Sequence, residues 1–103
     1  MWAQLISMRL KPGKEDQLLQ VYEGLRAAER PGMGLLRSTA ARATKDPNRI
    51  YHFVLFESEE KARAREEDPE RQRNLEGVRG IMADIFEGPP EFVDLEIVED
   101  TVY

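Results

Sequence analysis

The chain has one histidine, His52, set in the run Ile50-Tyr51-His52-Phe53-Val54-Leu55-Phe56. An imidazole titrates near neutrality, so it can serve as a general base at physiological pH. The competing reading is a hydrogen-bonded histidine inside a packed sheet face or a dimer interface. Strand alternation places His52 with Val54 and Phe56 on one face, and Tyr51 with Phe53 and Leu55 on the other. The catalytic reading therefore requires the His52 face to border an open cavity.

The residues that could surround such a base are Trp2, Gln4, Tyr22, Phe56 and Phe86, the candidate substrate-binding set. The aromatic members could build a pocket wall, although each is also an ordinary core residue. Gln4 is polar in the middle of a strand and needs a partner. Arg9, at a strand end, could hold an anionic substrate or a surface carboxylate. Asn74 and Arg79 fit solvated helix positions.

Other chemistries lack their residues. There is no cysteine, which removes disulfides, a thiol nucleophile and thiolate-held metal clusters. One histidine with scattered carboxylates makes no zinc site, and no phosphate-binding glycine motif is present. No metal and no cofactor are expected.

The elements that must position these groups follow from pattern. Trp2–Leu10 reads as a strand with apolar residues in both phases. Lys11-Pro12-Gly13-Lys14 is a turn, and Glu15 to about Arg30 a helix carrying Leu18, Val21, Tyr22, Leu25 and Ala28 at helical spacing. Pro31-Gly32 stops it. Leu35–Ala43, with Arg37 and Arg42, suits an edge strand. Thr44–Asn48 is expected as a hairpin loop before the strand Ile50–Phe56. Ser58 is a plausible N-cap for a short charged helix to about Glu67, broken by Asp68-Pro69. A second helix is expected from Glu70 to Phe86, interrupted by Gly77 and Gly80, which would permit close approach. Gly88-Pro89-Pro90 would end it before a last strand, Phe92–Val98. Ile6, Leu25, Val54, Ile81, Ile85 and Leu95 are the expected core.

The order βαββαβ predicts a ferredoxin-like α+β domain: one four-stranded antiparallel sheet, strand order 4-1-3-2, helices on one face. The first and third strands, apolar in both phases, are then central. The third has no water-facing side, so its second face needs cover. A second copy of the chain supplies that most economically, which predicts a homodimer with its sheets face to face.

The 103 residues suit a single domain. The balance of 15 Lys+Arg against 20 Asp+Glu gives a net charge of −5, which argues against a nucleic-acid partner. No apolar run approaches the roughly 20 residues of a membrane span, and no signal-peptide pattern opens the chain. A cytoplasmic protein with no membrane partner is the expectation.

Several turn and cap elements resemble the antibiotic biosynthesis monooxygenase family, the dimeric α/β-barrel proteins. They are Met8-Arg9-Leu10-Lys11-Pro12-Gly13-Lys14-Glu15, the Pro31-Gly32 stop, the Asp46-Pro47 loop, and Phe56-Glu57-Ser58-Glu59-Glu60-Lys61-Ala62. The resemblance spans nearly the whole chain and implies a dimeric barrel with a pocket between sheet and helices. It also implies oxidation of a small quinol- or anthrone-like aromatic by O2, without metal or flavin. The alternative is a non-catalytic small-molecule-binding or structural protein on the same fold. Haem-degrading relatives carry an Asn on the first strand and a Trp and a His on later helices. Here the first strand offers Ser7 and Met8, the Glu70–Phe86 segment has no His, and the sole Trp is Trp2. Haem degradation is therefore disfavoured.

Overall fold

The computed structural model describes residues 1–103. Its order is β1 (Trp2–Leu10), α1 (Glu15–Ala28), β2 (Leu35–Ala43), β3 (Asp46–Phe56), α2 (Glu59–Glu67), α3 (Pro69–Asn74), α4 (Glu76–Ile85) and β4 (Phe86–Glu96). The strands form one antiparallel sheet in the order β2-β3-β1-β4, the ferredoxin-like arrangement expected. The two strands with apolar residues in both phases are the two central ones.

Local chemistry explains most boundaries. Ser58 caps α2 by accepting a hydrogen bond from the Lys61 amide at 3.2 Å, which satisfies one of the helix's free N–H groups. Asp68 does the same for α3, accepting from the Arg71 amide at 3.0 Å, with Pro69 in the first turn. Proline suits that position because its missing N–H would have no partner there.

Four boundaries differ from the sequence expectation. The hairpin loop is only Thr44-Lys45, because β3 begins at Asp46, which pairs with Ala43 across a bulge. The segment 70–86 is not one helix but two, joined at Leu75, and Phe86 is the first residue of β4. Gly88-Pro89-Pro90 lies inside β4 rather than before it. The strand tolerates the prolines because it is at the sheet edge, and its register against β1 shifts there, between the Ser7 and Arg9 pairings. Gly88 accepts φ +70° at this irregularity. Finally, β4 ends at Glu96 and not Val98.

Residues paired across antiparallel strands share a face. On one face, Met8 and Ile50 join Leu18, Val21 and Ala28 of α1, and Val78 and Ile85 of α4, in the main core. A second cluster, Trp2, Phe56 and Ala62, lies under α2. Of the expected core residues, Ile85 is fully buried. Ile6, Leu25 and Ile81 are half-buried against the main core, Val54 against the second cluster, and Leu95 is half-buried. α1 and α4 pack together over the main core, and α2 covers the second cluster. The close approach between helices is made at Gly24, where an added methyl would overlap Val78 of α4. Gly77 and Gly80 face open space instead.

The other face of the sheet carries Leu5, Phe53 and Val93 in one paired row and Leu55 and Leu95 in the next. None of them belongs to either core cluster. Tyr51 is 38% exposed and Val93 51%.

Candidate functional site

His52 points to the helix-covered face, flanked by Ile6 on β1 and Ala40 on β2. The residue is 9% exposed. The Nε2 atom lies 2.7 Å from the hydroxyl of Tyr22, which α1 brings across the sheet. The rings meet edge to face, centroids 5.3 Å apart at 74°. Burial holds the imidazole below its usual pKa of 6.5, since a low-dielectric setting disfavours the charged form. Burial likewise pushes the Tyr22 phenol up to about 12, against an opposing pull from the nearby Arg42 cation. At neutral pH the pair is therefore a neutral phenol beside a neutral imidazole. With the ring proton on Nδ1, Nε2 accepts from the Tyr22 hydroxyl; with it on Nε2, the ring donates to the Tyr22 oxygen.

Beside this pair is an open cleft of ≈ 300 Å³. Leu18, Leu19 and Tyr22 of α1 form one wall, and Ala40 and Ile50 of the sheet the other. Glu15 and Arg42 add its charged groups. The wall exists because Leu18 and Tyr22 are one helical turn apart, and because Ala40 and Arg42 share the strand phase of their partners His52 and Ile50. His52 itself does not line the cleft. Tyr22, hydrogen-bonded to the imidazole, is the member of the pair that lines it.

The remaining candidates lie elsewhere. Trp2 and Phe56 pack together, centroids 5.9 Å apart, under the guanidinium groups of Arg63 and Arg65 at 5.1 and 5.4 Å. Trp2 borders a separate depression with Glu57, Ser58 and Asp94. Gln4 finds its partner in Asp94 on β4, at 3.0 Å. Phe86 is buried in the main core. Arg9 binds Asp46 across β1 and β3 at 2.6 Å, so its partner is a carboxylate of this chain. Asn74 and Arg79 are exposed. Of the sequence candidates, then, Tyr22 joins His52 at the cleft, while Trp2 and Phe56 form a separate pair away from it. Arg42, Leu18 and Leu19 were not singled out. Their signal was present in the helical spacing Leu18–Tyr22 and in the β2–β3 register, but the register needed the true length of the hairpin loop. No group of carboxylates and imidazole is arranged to hold a metal ion, and no helix is long and apolar enough to cross a membrane.

Fold and site together define a ferredoxin-like α+β domain with a tyrosine–histidine pair at a cleft between sheet and helix. Residues 1–76 match the antibiotic biosynthesis monooxygenase family, and the chain belongs to that family. Solved structures share the fold. A Nitrosomonas europaea protein assigned to the antibiotic biosynthesis monooxygenases superposes with a TM-score of 0.76 at 17% identity, covering 96% of this chain and 100% of that one. A MhuD variant with two manganese protoporphyrin IX molecules bound per active site gives 0.81 at 17% identity, covering 100% of both chains. A Chloroflexus aurantiacus protein, also assigned to the antibiotic biosynthesis monooxygenases, gives 0.67 at 24% identity, covering 99% and 98%. Among curated proteins none matches the chain.

Proposed function

We propose that this protein is a cofactor-independent monooxygenase that oxidises a small quinol- or anthrone-like aromatic with O2, acting as a homodimer. The observation that carries the reading is the buried Tyr22–His52 hydrogen bond opening, through Tyr22, onto a mainly apolar cleft. His52 is the base and Tyr22 hands it the proton. The substrate's acidic proton passes to the Tyr22 oxygen as the phenol proton passes to Nε2, so the buried imidazole acts without touching substrate. The substrate anion then gives electrons to O2. For an anthrone the methylene becomes a carbonyl, one oxygen atom stays in the product, and the other leaves as water with the two methylene hydrogens. The substrate supplies every electron, so the balance closes without a metal or flavin.

The dimer reading rests on the uncovered sheet face. Leu5, Phe53, Leu55 and Leu95 are half-buried there and no helix lies over them. A specific face-to-face contact should bury at least about 1,000 Å² in total.

One observation favours a second reading, a binding or structural protein without turnover. The single hydrogen bond of His52 is already satisfied by Tyr22, and the ring does not reach the cleft. Oxygen uptake with a panel of anthrones and quinols separates the two. Turnover that falls about 10²–10⁴-fold in both His52→Ala and Tyr22→Phe supports the base relay. No uptake with any member of the panel leaves the binding reading in place.

A further inference from the structure

The cleft beside Tyr22 contains a cation that the protein does not use. Arg42 lines the cleft and takes part in none of the chain's ion pairs, which employ Arg9, Arg30, Lys61, Arg63 and Arg65. It donates none of the side-chain hydrogen bonds either. Its position is set by register: Arg42 pairs with Ile50, the residue two before His52, so its side chain emerges on the helix-covered face. Its charge is felt at the Tyr22 hydroxyl, where it opposes the effect of burial. Glu15, the other charged residue of the cleft, makes no ion pair with it. An unpaired guanidinium beside Leu18, Leu19 and Ile50 combines an anion receptor with a surface for an apolar ring.

We infer that Arg42 makes this cleft selective for aromatic compounds carrying a carboxylate, which pairs with the guanidinium while the ring lies on Leu18, Leu19 and Ile50. The inference rests on the same cleft as the proposed function and deepens it by naming the ligand's charge. It also gives Arg42 a part in the reaction. An anion forming next to the Tyr22 oxygen would form beside a fixed positive charge, which favours deprotonation at that point.

The test uses two probes of the same shape, 1-naphthoate and neutral 1-naphthamide, titrated calorimetrically into the wild-type protein, Arg42→Gln, Arg42→Lys and Tyr22→Phe. Wild type should bind naphthoate more tightly than naphthamide by on the order of ten-fold or more, the worth of one charge-assisted hydrogen bond. Arg42→Gln should erase that preference by weakening naphthoate far more than naphthamide, and Arg42→Lys should restore part of it. Tyr22→Phe should weaken both probes without removing the preference. Circular dichroism of each variant checks that the fold is kept; Arg42 is exposed on an edge strand, so it should be. Equal binding of the two probes by wild type, or a preference that survives in Arg42→Gln, overturns the inference alone. If neither probe binds wild type, the cleft is not a ligand site, and the proposed function falls with the inference.

Discussion

The hydroxyl of Tyr22 on α1 lies 2.7 Å from Nε2 of His52 on β3, and this one hydrogen bond ties the helix to the centre of the sheet. It joins the chain's single histidine to a phenol thirty positions earlier in the sequence. It also makes Tyr22, and not His52, the group presented to the cleft.

Removing that hydroxyl should cost stability as well as any activity. Tyr22→Phe leaves a buried imidazole nitrogen without its partner, a loss of about 1–3 kcal/mol. Urea denaturation of the variant should show a lower midpoint at an unchanged slope. A midpoint equal to wild type would mean that water replaces the hydroxyl.

The pair also sets a pH dependence of stability. The folded pKa of His52 lies below its unfolded value of 6.5. The unfolded chain therefore takes up the proton first as pH falls, and the contribution of neutral His52 is present above 6.5 and lost between 6.5 and the lower folded value. Tyr22 moves the other way: raised from 10.0 to about 12, it stabilises below pH 10 and ceases to do so as pH rises through 12. Denaturation midpoints should decline on both sides of neutrality. The acid-side decline should be shallower in His52→Gln, whose side chain cannot titrate; an identical acid limb in that variant would assign the decline to the carboxylates instead.

The helix-to-helix contact predicts opposite signs for similar substitutions. Gly24→Ala drives a methyl into Val78 at the α1–α4 contact, and overpacking of this kind costs about 1–3 kcal/mol. Gly77 and Gly80 of α4 have open space at the same position. Alanine there should raise stability by about 0.5–1 kcal/mol each, through helix propensity. Thermal melts of the three variants test the assignment, and destabilisation by all three would show that α4 packs more tightly than described.

Burial ranks two isoleucines of α4. Ile85 is 1% exposed, whereas Ile81 is only half-buried. Ile85→Ala should cost about 2–5 kcal/mol, and Ile81→Ala distinctly less. Chemical denaturation giving the reverse order would place the core-facing stripe of α4 on the other side.

The uncovered sheet face predicts the effect of a charge. If two copies meet there, Phe53→Glu should convert the dimer to monomer in sedimentation velocity at micromolar concentration, because burying an unpaired carboxylate is costly. Leu19→Glu, an equally apolar but exposed position on α1, should leave the assembly intact. A wild-type protein that sediments as a monomer removes the face-to-face arrangement.

Much of the architecture is legible in one dimension because it depends on near neighbours. The apolar residues in both phases of Trp2–Leu10 and Ile50–Phe56, the helical spacing from Leu18 to Ala28, and the Ser58 cap all act over a few residues, so sequence alone determines those elements. Their order then leaves few ways to pair four strands, and the two strands apolar in both phases became the central ones. Boundaries ruled by tertiary contacts were not legible. Gly88-Pro89-Pro90 would normally stop a strand, but an edge position and a shifted register against β1 accommodate it. The candidate site divides in the same way. Residue type picked out His52, and aromatic character picked out Trp2, Tyr22, Phe56 and Phe86 without distinguishing among them. Only packing decided that Tyr22 meets His52, that Trp2 and Phe56 pair under Arg63 and Arg65, and that Phe86 fills the core. The physical reason is that a side chain's role depends on what lies across the sheet from it. For Arg42 that was fixed by a loop of two residues, which sets the register between β2 and β3 and so delivers a cation to the cleft.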